Sequence, residues 1–124
     1  MGIYQVNQDF NNIRWGTAMP VPLMVGSEII QIRARGTFSA VVVDPQIFEK
    51  NVPEADNANR WAANQVLTAF IDIIGESASA AADAAQLLAK TGEIGDKLKD
   101  KIETNLLTAG LKITLVILET IEKI

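Results

Sequence analysis

Asp96, Asp100 and Glu103 are the residues best spaced for acid–base work, since Asp96/Asp100 and Asp100/Glu103 each share a helix face. The sequence holds no histidine and no cysteine. Paired carboxylates are therefore the surviving route to general acid–base catalysis, and thiolate nucleophiles and cysteine-ligated metals are excluded. Lys97, Lys99 and Lys101 interleave with these acids, which is the pattern of a solvated charged face. Asp44 precedes a proline and reads as a helix cap. Arg33 and Arg35 fall on one face of a strand with Glu28 nearby, and read as a polar outer face or subunit contact in preference to an anion site. Trp15 and Trp61 could stack a ligand, yet each opens an apolar pattern and reads as a core or interface residue. Gly92 and Gly95 give a G-x-x-G spacing with nothing resembling a strand before it, so no phosphate loop is formed. No catalytic constellation emerges, no metal or cofactor site is expected, and the chain reads as a non-enzyme.

Bulk properties narrow the field further. With 124 residues, 48% hydrophobic and 21% charged, the chain reads as one domain able to bury a core, too apolar for disorder. The net charge is -4, and the lysines that come closest to clustering are interleaved with acids. Phosphate neutralisation cannot drive binding on such a surface, so no nucleic-acid partner is expected. No stretch approaches the roughly 20 apolar residues of a membrane span. The lack of cysteine accords with a reducing compartment.

The elements that would position these residues divide into strands and then helices. Residues 3–6 are short and β-prone, residues 7–12 form a polar turn cluster around Phe10, and residues 13–15 make a second strand closed by Gly16. Pro20 and Pro22 each remove a backbone donor, which suits an edge or an extended connection. From Glu28 to Val43 apolar and polar residues alternate, then β-branched residues run together; Gly36 sits where the alternation breaks and predicts a bulge or bend. Asp44-Pro45 starts a short helix through Lys50. An amphipathic helix follows over residues 56–74, with Gly75 as a break. Residues 77–90 are Ala-rich and helical, ended by Thr91-Gly92, and they either dock on the sheet or project as an arm. A last helix places Ile94, Leu98, Ile102 and Leu106 on one stripe and stops at Gly110. Residues 111–118 are a strand by composition, and residues 119–124 could turn helical. Val116 to Leu118 is apolar on both faces, so it needs cover on both. The expected fold is α+β: an antiparallel or mixed sheet from the N-terminal half, packed by helices of the C-terminal half, with a final C-terminal strand.

Several residues recur in a recognisable order. Gly16-Thr17, then Pro20-Val21-Pro22, then Arg33-Ala34-Arg35-Gly36-Thr37-Phe38-Ser39, then Asp44-Pro45 with Phe48, and finally Gly110-Leu111-Lys112-Ile113, resemble the SPFH (stomatin/prohibitin/flotillin, Band 7) domain. More narrowly they resemble its bacterial "virion core protein-like" branch. The resemblance implies that residues 1–124 are a single such domain, a fragment lacking the family's N-terminal strands and its helical C-terminal extension. It implies a scaffold without a reaction of its own, cytoplasmic and peripheral to the inner face of a membrane. The implied partners are other copies of the chain, with membrane contact through segments outside it.

Two readings follow. In the preferred one the domain self-associates through its sheet edge or the strand carrying Leu115, Val116, Ile117 and Leu118, and Leu118→Glu disrupts assembly without unfolding. In the alternative it binds a small ligand or lipid in a pocket between sheet and helices lined by Trp15, Phe38 and Trp61.

Overall fold

Alternation with a period of two, then of three to four, becomes four strands and four α-helices in the computed structural model, which describes residues 2–124. In chain order these are β1 (Asp9–Gly16), β2 (Val21–Val25), β3 (Glu28–Val42), α1 (Pro45–Asn51), α2 (Ala58–Ala80), α3 (Ala84–Leu88), α4 (Thr91–Leu107) and β4 (Leu111–Lys123). All pairing is antiparallel and centres on β3. One side of β3 is paired first by β2, at Glu28 to Ile32, and then by β1, at Arg35 to Val41. The other side is paired by β4, from Ile32 to Val42. The two-proline segment thus leads into and lies in an edge strand, where a missing amide donor does least harm.

The inner face of β3 carries Ile30, Ile32, Ala34, Phe38, Ala40 and Val42, all buried. On this side of the sheet pack α2, beside β1 and β2 through Val66, Phe70, Ile73 and Ile74, and α4, beside β4 through the stripe Ile94, Leu98, Ile102 and Leu106. Burial of these side chains, each worth roughly 1.5–3 kcal/mol, is what holds the layers together. Asp44 caps α1 as its residue type dictates: its carboxylate accepts from the Ile47 amide at 3.2 Å, with Pro45 in the first turn. Gly110 stands at φ +89 just past α4, and an added Cβ there would lie 2.5 Å from the Asp44 carbonyl oxygen. The helix therefore ends on a residue that also lets the chain pass close beneath α1.

Five expectations are corrected. Residues 3–6 form bends and a turn, and pairing with β3 starts only at Asn7, whose amide donates to the Val42 carbonyl at 2.7 Å. Tyr4 dictates this: its ring is buried against Phe48 and its hydroxyl donates to the Val52 carbonyl at 2.8 Å, contacts that draw the segment onto α1. The polar cluster at 7–12 is largely strand, with Asn12 at φ 53 where the β1–β3 register shifts. Gly75 does not break α2; helix continues to Ala80 because Ile73, Ile74, Ser77 and Ala78 on either side are buried in the core. The roughly 1 kcal/mol cost of an interior glycine is smaller than that burial. Thr91-Gly92 opens α4 and does not close the preceding helix, and residues 119–123 continue β4. Residues 77–90 dock: Ser77, Ala78, Ala81, Ala84 and Leu87 are buried.

Tyr4 gives a direct check on this packing. Burial, and then the nearby Glu49 charge, raise its pKa above the ordinary value. The folded state therefore holds the phenolic proton at pH values where the unfolded state releases it, and stability falls as pH rises from about 10 through the raised value. Because the chain has a single tyrosine, phenolate absorbance should appear at higher pH in the folded protein than in urea. Tyr4→Phe, which leaves the Val52 carbonyl unpaired, should lower stability by about 1 kcal/mol in urea titration.

Candidate interaction surface

Both helical layers lie on one side of the sheet, so the opposite face of β3 and β4 is uncovered among the described residues. Alternation places Ile29, Gln31, Arg33, Arg35 and Thr37 of β3 on this outer face. On β4 the alternation changes phase twice. The β3–β4 register shifts between Ser39 and Ala40, leaving Thr114 as an extra residue, and again between Arg35 and Gly36, leaving Glu119 extra. Between these two bulges residues 115–118 pair regularly. Leu115 lies opposite Ser39 and Ile117 opposite Thr37, which puts both on the outer face; they are 47% and 41% exposed. Val116 and Leu118 lie opposite Phe38 and Gly36, facing the helices, and are partly buried against the core.

The two-sided apolar stretch is thus covered by the core on one face and open on the other. Leu118 belongs to the covered side, and Gly95 of α4 would place a Cβ 3.8 Å from its own. A charge at Leu118 would disturb the fold, so the substitutions that probe the surface are at Leu115 and Ile117. The free edge of β4 is the second open feature: among the described residues it has no strand partner beyond β3.

Charges frame this surface. Arg35 meets Glu119 at 3.8 Å, with both side chains well exposed, and Arg33 lies opposite Glu122 in the β3–β4 pairing. Each arginine therefore has a carboxylate in its cross-strand neighbourhood, which fits the polar-face reading better than an anion site. Thr17, Arg33, Arg35, Thr120 and Glu122 border a shallow depression of about 210 Å³ here. Exposed acids of the helices pair with lysines: Glu93–Lys97 is 3.6 Å, Glu103–Lys99 4.0 Å, and Asp72 of α2 meets Lys101 of α4 at 3.4 Å. Among the described residues no three acidic side chains gather as a metal site.

The aromatic candidates are held apart. Trp15 is buried against Phe70, ring centroids 5.4 Å apart, and Phe38 is buried in the core. Trp61 is half-buried and packs on Phe48 at 5.7 Å. The two tryptophans border separate depressions, one of about 340 Å³ beside Arg14 and Glu119 and one of about 280 Å³ beside Val52 and Pro53. Sequence reading missed Met24 and Ile29, 66% and 73% exposed and paired across β2 and β3 on the outer face. The double isoleucine at 29–30 was the available signal, since alternation must turn one of the pair outward.

Fold and surface together define an α+β domain with helices on one side of an antiparallel sheet and the other side open. A family model, the SPFH domain–Band 7 family, matches residues 1–123, and the chain belongs to that family. Its domains are in general membrane-associated, scaffold-like and non-enzymatic. The match reaches the family and does not distinguish the narrower branch. No curated protein matches the chain.

Proposed function

We propose that this domain is a non-catalytic scaffold that self-associates beside a membrane, using the open side of its sheet around Leu115 and Ile117. The observation that carries this reading is the placement of two large aliphatic side chains, nearly half exposed, in the middle of a strand with a free edge. Exposed apolar area beside an unpaired edge is a standing invitation to association. Family membership supports the scaffold role, and the missing histidine and cysteine support the absence of chemistry. Among the described residues no helix is long and apolar enough to cross a membrane, so membrane contact in this reading is peripheral or supplied by other segments.

Light-scattering mass across a concentration range tests it. The wild-type chain should show a discrete mass above one chain. The Leu115→Glu/Ile117→Glu double variant should weaken association at least tenfold, while circular dichroism stays that of the wild type, because both side chains point away from the core. An oligomer indifferent to the double change would exclude this surface, and a wild-type monomer at every concentration would exclude self-association by the domain.

A further inference from the structure

We infer that two copies of the domain join edge to edge, β4 against β4 in antiparallel sense about a two-fold axis at Ile117, so that two sheets become one. This rests on the self-association reading and specifies its partner strand and register. Long exposed edges are normally blunted, and bulges are one of the devices. Here the two bulges, at Thr114 and Glu119, flank the regular segment on either side of Ile117. They give the strand a near-palindromic order of outward positions: Lys112, Leu115, Ile117, Thr120 and Glu122. One bulge falls between Lys112 and Leu115, the other between Ile117 and Thr120.

Reversing the strand on itself about Ile117 therefore keeps faces matched over its whole length. Ile117 meets Ile117 of the second copy, Leu115 meets Thr120 of the second copy, and Lys112 meets Glu122 of the second copy. By symmetry the last contact occurs twice, and opposite charges directly across a strand pair are favourable. On the other face Val116 lies across from Leu118 of the second copy, extending the partly buried apolar layer. Slipping the register by one residue would set outward side chains against inward ones and bring Lys112 toward Lys123 of the second copy. Glu119 is held by Arg35 at 3.8 Å on its own chain. An isologous pair of this kind closes on itself, so it gives a dimer and not a fibre.

Charge reversal and a disulfide probe test the register on the whole chain. Lys112→Glu and Glu122→Lys, each at an exposed side chain, should each weaken the dimer about tenfold, and the combined variant should recover it, measured by light scattering. The chain has no cysteine, so Ile117→Cys introduces a unique thiol beside its own symmetry mate. It should form a covalent dimer under mild oxidation, whereas Thr104→Cys on α4 should not. A wild-type protein that is monomeric throughout overturns both this pairing and the proposed function. An assembling protein whose Ile117→Cys variant stays uncrosslinked overturns the edge pairing alone. A combined charge variant as weak as either single one overturns the register.

Discussion

Replacing Gly36 with alanine is expected to cost about 3 kcal/mol of stability, at the upper end of what overpacking a core costs. A Cβ built at Gly36 would overlap the Ile117 carbonyl oxygen and lie 2.8 Å from Nε1 of Trp15. The cause is the bulge opposite. With Glu119 inserted in β4 between the partners of Arg35 and Gly36, the strand bends and its backbone comes over the glycine. On the other side of β3, Trp15 is the direct partner of Gly36, and its indole spans toward Phe70 of α2. Alanine must displace either a backbone carbonyl or a buried indole, and neither is the far end of a flexible chain. The expected result in urea is a lower midpoint with an unchanged slope, the signature of lost stability without a change in the denatured state. Since Ile117 is the residue displaced, the same variant should also weaken self-association beyond its effect on folding. A Gly36→Ala protein as stable as the wild type would mean that β4 does not bend over β3 in this way.

Strong local signals carried through to the fold. Alternation from Glu28 onward became β3, Asp44-Pro45 became a capped helix start, the stripe from Ile94 to Leu106 became the buried face of α4, and Gly110 ended that helix. In each case propensity, spacing and tertiary packing agree. Signals failed where packing outranked propensity. The β-prone residues 3–6 are pulled out of the sheet by Tyr4, whose hydroxyl and ring both find partners on α1 and the turn after it. Gly75 is helical because its neighbours are buried, not because glycine favours helix. The proposed interaction surface was legible as a segment but not as a face. Val116 to Leu118 showed that both faces were apolar, yet the side on which each residue lies depends on bulges at Thr114 and Glu119, and a period of two cannot be extrapolated through an inserted residue. That is why Leu118, which seemed a surface residue, faces the helices. The arrangement of the three aromatic candidates was not legible for a related reason. Trp15, Phe38 and Trp61 share a type, but their separation over β1, β3 and α2 gave no information on which of them meet.

Phe48→Ala should be the most damaging single truncation in the core, about 3–5 kcal/mol. Phe48 is fully buried, and three aromatic rings converge on it: Tyr4 at 4.5 Å, Trp61 at 5.7 Å and Phe10 at 6.0 Å. These rings come from the N-terminal segment, α2 and β1, so one side chain on α1 ties together parts of the chain that the sheet ladder does not. The Phe48 amide also lies 3.0 Å from where a Cβ on Gly110 would be, which leaves the surrounding backbone little room to collapse into the cavity. Incomplete collapse is what separates the costly large-to-small changes from the mild ones. Phe48→Leu keeps most of the volume and should cost roughly half as much or less. Urea unfolding measures both. Trp61 adds a local reading, since losing its edge-on partner should shift its emission toward that of a solvated indole while Trp15, packed on Phe70 at the sheet, is unaffected; Trp15→Phe isolates the signal. If the two substitutions cost the same, the apolar volume that leucine retains would count for nothing and the convergent ring contacts would carry the whole effect. A larger loss for alanine, together with an unchanged oligomer mass in the molecules that remain folded, would show that the core on one side of the sheet and the contact surface on the other act independently.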